Sequence, residues 1–139
     1  MISQDDEKFL QSFDECSLGA KCWNHEAHLR MGWLVMGKSA SFENALERIR
    51  TGIKKFNSTK NSIGYHETIT VAFARLIFSR RTDGESWNTF AARNSDLFEK
   101  NCLGTFYSSA ILSSEEARHS FLAPDLCDLP TQTFDRTKN

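Results

Sequence analysis

Residues 42–56 carry the clearest periodic pattern in the chain, FENALERIRTGIKKF. The apolar positions of this segment recur at i, i+3, i+4, i+7, i+11 and i+14, which is the spacing of one face of an α-helix. They are Phe42, Ala45, Leu46, Ile49, Ile53 and Phe56. Ser41 directly precedes them and is a favourable N-cap residue. The pattern predicts an amphipathic helix that begins after Ser41 and buries this stripe.

Start signals predict two helices before this segment. Ser3 is followed by acidic residues, which the helix dipole favours in a first turn, so we expect a first helix that ends near Cys16. Asn24 is a good N-cap for a second helix from residue 25 to about residue 36. Gly37 is suited to the end of that second helix.

The second half of the chain predicts one long buried helix and several shorter ones. Residues 57–64 have the composition of a loop. The stretch from about 65 to 81 is apolar nearly all round, as expected of a helix at the centre of a domain. After a turn at 82–84, N-capping serines predict three shorter helices. These are expected at 87–93, 96–103 and 117–122.

Length and composition predict one ordinary globular domain. The chain has 139 residues, of which 25% are charged and 40% hydrophobic, close to the average of globular proteins. We expect residues 1–130 to form a compact all-α domain of about five to six helices, in an orthogonal or bundle-like packing. Residues 131–139 are polar and are expected to form a frayed tail.

Charge and hydropathy argue against several classes of partner. A formal net charge of −1 gives no overall reason to bind nucleic acid, so we interpret Arg48, Arg50, Lys54 and Lys55 as a solvated helix face. No stretch approaches the roughly 18 consecutive apolar residues of a membrane span. The acidic start, and four cysteines without Cys-x-x-Cys spacing, predict a cytoplasmic protein with free thiols.

Three of the four histidines fall in two short motifs. The first is WNHEAHLR at residues 23–30, and the second is GYHET at residues 64–68. Because residues three apart lie on one helix face, His25 and His28 can present two imidazoles to a single point. His66 falls in the first turn of the predicted central helix, so a third imidazole is available if the two helices pack side by side.

Three convergent imidazoles predict a mononuclear metal centre formed by His25, His28 and His66. Neutral imidazole binds divalent zinc, iron, nickel or copper, and three protein ligands leave a position for water or substrate. Glu67 is expected to be a fourth ligand, a hydrogen-bond partner of a ligand, or a general base. The chain lacks His-Glu-x-x-His and a repeated Glu-x-x-His, so a zincin protease or a di-iron bundle is not supported.

Further side chains are assigned roles in case the protein is an enzyme. The metal would then polarise a substrate or activate water or dioxygen. Arg30 or Arg75 would bind an anionic group, because guanidinium offers a bidentate fork. Tyr65 and Tyr107 would act as proton donors. His119 is expected to be an exposed or helix-capping residue.

The motifs resemble those of a family of small, single-domain, mostly bacterial proteins of unassigned function. The resemblance covers residues from about 10 to 130, and its main elements are His-x-x-His-Leu-Arg at 25–30 and Gly-Tyr-His-Glu-Thr at 64–68. It implies a compact helical domain in which His25, His28, His66 and Glu67 are the functional residues. It implies no particular reaction.

The sequence thus predicts a metal-binding helical protein with no nucleic-acid or membrane partner. It leaves open whether the protein is an enzyme; if it is one, a small-molecule substrate is expected. A homo-oligomer is compatible with the sequence but not indicated by it. One alternative is a non-catalytic helical interaction module, in which the histidines cap helices and satisfy buried polar groups. Another is a cofactor-free enzyme that uses the same histidines and glutamate as acid and base.

Overall fold

The computed structural model describes residues 2–19, 22–60, 64–99 and 101–130. Within these ranges the chain forms seven α-helices and two 3-10 helices, with no strand. The α-helices are α1 (Gln4–Asp14), α2 (His25–Lys38), α3 (Phe42–Thr59), α4 (Glu67–Arg80), α5 (Trp87–Arg93), α6 (Ser109–Leu112) and α7 (Glu115–His119). The all-α, single-domain prediction is confirmed. The predicted frayed tail at 131–139 lies outside the described residues.

Side-chain caps begin four helices where the sequence predicts them. Ser3, Asn24, Ser41 and Ser86 each accept a hydrogen bond from a backbone N–H in the first turn of α1, α2, α3 and α5, respectively. Each cap satisfies a donor that has no partner inside its own helix. The four predicted starts are therefore confirmed at the level of individual hydrogen bonds.

Helix ends differ more from the sequence pattern. The second helix is expected to end at about residue 36, with Gly37 as its stop. Gly37 instead lies inside α2, which continues to Lys38. α3 continues to Thr59 through residues expected to be loop. The helix expected at 96–103 is replaced by two 3-10 helices, Ser95–Phe98 and Cys102–Thr105. α6 is not predicted by the pattern, and α7 ends three residues before the expected position.

The core forms around α2, which packs against α1, α3 and α4. Trp33 and Leu34 of α2 have no exposed surface. All six apolar residues of the predicted stripe on α3 are buried, as expected. α1 and α3 approach closely at Gly52, where a Cβ would come within 2.7 Å of Cε2 of Phe13. None of the described helices has the length and apolar composition needed to cross a membrane.

The segment after α7 is fastened to α4 by Thr68, which has no exposed surface. Its hydroxyl donates to the carbonyl of Ser120 (2.8 Å) and accepts from the N–H of Leu122 (3.1 Å). The Tyr107 hydroxyl donates to the carbonyl of Leu122 (2.7 Å). Asp125 accepts from the N–H of Ser108 (2.8 Å). Side-chain to backbone hydrogen bonds thus add to the packing of α7 against α4 in holding the C-terminal part of the domain.

We predict that Thr68→Val lowers the free energy of unfolding by about 1–3 kcal/mol, because it removes two hydrogen bonds of a fully buried side chain. Equilibrium denaturation with urea measures the change. Thr70→Val is the matched control, since the Thr70 hydroxyl donates to the carbonyl of His66 one helical turn earlier and not to the segment after α7. Equal losses in the two variants would contradict a fastening role for Thr68.

Candidate functional site

An apolar groove lies between α2, α3 and α4, and we divide it into three adjoining sections. The central section, about 360 Å³, lies among the three helices. The Tyr65 section, about 290 Å³, lies at the start of α4. The Tyr107 section, about 540 Å³, lies between α4 and the segment 98–112. Ile69 lines all three sections, so the three sections adjoin at this side chain of α4.

No Asp, Glu, Lys or Arg among the described residues lines any section of the groove. The polar groups that line the central section belong to Asn24, His25, His28 and Thr70. The rest of its lining is aliphatic or aromatic, including Trp23 and Phe73. A mostly apolar cavity with a few polar side chains is typical of a site for a small molecule.

His28 is held as a neutral imidazole on the wall of the central section. Its Nδ1 lies 2.7 Å from the carbonyl oxygen of Asn24. A carbonyl oxygen only accepts, so Nδ1 carries the proton and donates it. Burial lowers the pKa of His28 below its ordinary value of 6.5, and the nearby His25 lowers it further, although the bond to Asn24 opposes both. Nε2 therefore carries a lone pair at neutral pH.

Sequence spacing explains the position of His28. Asn24 is the N-cap of α2, and His28 lies four residues later, so its ring reaches back to the Asn24 carbonyl. The imidazole also packs against the Trp23 ring, with 3.9 Å between the ring centroids. These two contacts fix the ring. Nε2 of His28 has no hydrogen-bond partner within the described ranges.

His25 lies at the other end of the central section. Its Nε2 donates to the carbonyl of Leu97 (2.8 Å), which joins the start of α2 to the first 3-10 helix. Its ring meets Phe73 edge-on at 5.2 Å. His25 is exposed, and its Nδ1 accepts no hydrogen bond from any of the described residues.

Both ring nitrogens of His66 are already bonded to backbone groups. Nδ1 accepts from the N–H of Ile69 (3.1 Å), which makes His66 the N-cap of α4. Nε2 donates to the carbonyl of Leu112 (2.8 Å) in α6. His66 lines the Tyr65 section together with His28, but not the central section. To bind a metal, His66 would have to release one of these backbone bonds.

The predicted three-histidine metal centre therefore stays a prediction. His25 and His28 line one section, and His28 and His66 line the next. Within residues 2–19, 22–60, 64–99 and 101–130, no group of three or more His, Cys, Asp or Glu side chains is arranged to hold a metal ion.

Glu67 forms an ion pair with Arg50 of α3 and lines no section of the groove. Nε of Arg50 lies 2.9 Å from Oε2 of Glu67, and the Tyr65 hydroxyl donates to Oε1. Partial burial favours a higher pKa for Glu67, but the hydrogen bonds from Arg50 and Tyr65 outweigh it, so the net pKa is lowered. Burial, followed by the bond to Glu67, raises the pKa of Tyr65. Both groups keep their protonation states at neutral pH.

The predicted anion-binding arginines also have intramolecular partners. Nη2 of Arg30 lies 2.7 Å from Oδ1 of Asp6, and its guanidinium lies 4.6 Å from the centre of the Phe9 ring. The guanidinium of Arg75 lies 4.6 Å from the centre of the Phe121 ring. Neither arginine lines the groove.

Tyr107 and His119 lie in different surroundings. Tyr107 is buried at the Tyr107 section, where its hydroxyl is bonded to a carbonyl and burial raises its pKa to about 12. His119 is exposed, as expected, with Nε2 at 3.2 Å from Oε1 of Glu115. The sequence pattern does not predict the apolar lining of the groove, above all Ile69 and Phe73. The only sign of this lining in the sequence is that α4 is apolar on more faces than packing against the core requires.

Comparison with protein-family models, with curated proteins and with solved structures gives no match for this chain. The resemblance based on the two histidine motifs stays a prediction. Interpretation of the groove therefore depends on the chemistry of its own residues.

We predict that Glu67→Gln lowers the free energy of unfolding at pH 7 by about 1–2 kcal/mol, because the charge-assisted bonds from Arg50 weaken. The folded-state pKa of Glu67 lies below its ordinary value of 4.5, so its contribution is present above that pH and is lost as the pH falls through the lower value. The difference between variant and parent should therefore narrow below about pH 4 in urea denaturation.

Glu47→Gln is the matched control, because Glu47 is 70% exposed and pairs with the same Arg50 at 3.5 Å. An exposed pair of this kind contributes less than about 1 kcal/mol. A pH-independent loss in Glu67→Gln would contradict the assignment.

Proposed function

We propose that this protein binds a small, mainly apolar molecule in the groove, with His28 as the polar anchor. The observation that carries the proposal is an uncharged apolar cavity of about 360 Å³ with a fixed, neutral imidazole on its wall. Ligand pockets commonly measure roughly 300–1,000 Å³ and combine an apolar lining with a few polar groups. The central section fits both criteria.

The arrangement of His28 also supports a chemical role towards that molecule. A neutral imidazole with Nδ1–H held by a carbonyl presents Nε2 as an acceptor or as a base. A candidate base must lie within hydrogen-bond reach of a bound group, and His28 lines two adjoining sections. Glu67 is not needed for this role, since Asn24 orients the ring.

Transition-metal binding is a second candidate function. It is favoured by the hydrogen bond from Nδ1 of His28 to the carbonyl of Asn24. Histidines that bind metal through Nε2 commonly donate Nδ1–H to a carbonyl, as His28 does. His25 lies one turn earlier on α2 and adds a second lone pair at Nδ1. This candidate uses two histidines, and zinc, iron, nickel or copper would need further ligands from water or substrate.

We predict that the uncharged fluorophore N-phenyl-1-naphthylamine binds saturably to the parent protein and that Ile69→Trp weakens this binding at least tenfold. Ile69 lines every section, so a larger side chain there occupies the groove. Fluorescence titration measures the dissociation constant. Leu126→Ala is the control, because Leu126 is 59% exposed and lies outside the groove. Unchanged binding by a folded Ile69→Trp variant would place the ligand elsewhere and contradict the proposal.

For the metal candidate, calorimetric titration with zinc and nickel compares His28→Ala with His66→Asn. Asparagine retains an N-cap for α4, so His66→Asn removes the ring without removing the cap. A two-histidine site predicts lost binding in His28→Ala and retained binding in His66→Asn. A three-histidine site predicts a loss in both variants. No saturable binding to the parent protein would reject both forms of this candidate.

A further inference from the structure

We infer that the groove selects an uncharged aromatic molecule that donates a hydrogen bond from an O–H or N–H group to Nε2 of His28. This inference rests on the proposed function and names the chemical class of its ligand. It follows from the charge of the lining, from the hydrogen bonds already made by its polar groups, and from the rings that form its wall.

The charge of the lining excludes an ionic ligand. A carboxylate or ammonium transferred from water into an apolar cavity needs a partner of opposite charge, because an unpaired ion loses its hydration there. The described residues offer no charged side chain in any section. Arg30 of the first motif and Arg50 of α3 are paired with Asp6 and Glu67 instead. The ligand that fits is therefore neutral.

The existing hydrogen bonds leave acceptors open in the groove. The Thr70 hydroxyl donates to the carbonyl of His66, and Nδ1 of His28 donates to Asn24. Nε2 of His25 donates to Leu97. His25 and Asn24 are exposed, so water reaches their remaining polar atoms, whereas His28 is half-buried. Among the described residues, Nε2 of His28 is the free acceptor on the less exposed of the two histidines that line the central section, and a ligand that satisfies it must be a donor.

The rings beside this acceptor favour an aromatic ligand. The Trp23 and His28 rings pack against each other at a tilt of 34°, and Phe73 contributes a ring next to His25. Trp23 is itself supported from behind by Phe13, at 4.9 Å between ring centroids. Flat ligands gain from offset stacking on such surfaces. The wall is therefore preformed by core packing.

Three naphthalenes of similar size test the inference by competition with N-phenyl-1-naphthylamine. 2-Naphthol has a donor, 2-methylnaphthalene replaces the hydroxyl with a methyl group, and 2-naphthoate carries a charge. We expect 2-naphthol to bind about tenfold more tightly than 2-methylnaphthalene, since one net hydrogen bond has about that effect. 2-Naphthoate should bind most weakly. Equal binding of 2-naphthol and 2-methylnaphthalene, or a preference for 2-naphthoate, would overturn the inference.

Variants of His28 assign the preference to the ring. His28→Leu should bind the two neutral compounds equally, and His28→Gln should keep part of the preference, because its amide oxygen can accept near the position of Nε2. His119→Asn is the control and should keep the full preference, because His119 is exposed and lines no section of the groove. A preference retained by His28→Leu would overturn the role of His28. If His28→Leu does not fold, His28→Gln and the ligand series on the parent protein still test whether His28 is responsible for the preference.

The outcomes separate this inference from the proposed function. If all three compounds displace the fluorophore without a preference for 2-naphthol, the groove binds apolar molecules and only the donor class is wrong. If none displaces the fluorophore, the groove does not select a small aromatic ring by its donor and the inference is wrong, while binding of the fluorophore, itself an uncharged aromatic N–H donor, still supports a groove. If the fluorophore itself does not bind, both proposals fail.

Discussion

The packing of α2 against α3 and α4 is the constraint on which the core and the groove both depend. One part of α2 fills the core with Trp33 and Leu34, and another part lines the central section with Leu29 and Gly32. Gly32 has no side chain, and a Cβ there would come within 3.1 Å of Cδ1 of Ile77. The glycine therefore lets α2 and α4 approach closely where they line the central section.

The parts of the fold that depend on neighbouring residues could be predicted from the sequence. The cap at Ser41 and the stripe on α3 are local patterns, and the structure confirms them. Gly37 is a helix-stop signal by the same local rules, yet it lies inside α2, where the absence of a side chain leaves room for the guanidinium of Arg81. That requirement is set by a residue from the end of α4. The two 3-10 helices between residues 95 and 105 likewise lie where the chain contacts α2 and α4. These contacts join residues far apart in the sequence, so no local pattern indicates them.

The candidate site was predictable only in part. Spacing singled out two histidines that line one cavity, because both lie on α2, whereas Glu67 and Arg30 lie outside the groove. The carbonyls that hold His25 and His66 belong to Leu97 and Leu112, 72 and 46 residues further along the chain. Pairings at such distances decide which ring nitrogen is free, and they are formed only by the tertiary structure. For the same reason Arg50, which looks like a solvated cation in the sequence, is an ion-pair partner of α4.

The hydrogen bonds of Thr68, Tyr107 and Asp125 have a consequence for the shape of the cavity. Together with the packing of α7 against α4, they hold the C-terminal part of the domain, and Tyr107 itself lines the Tyr107 section. The side chains that stabilise this part of the fold therefore also determine the form of one wall of the groove, so a substitution that removes one of these bonds would alter the cavity as well as the stability of the domain.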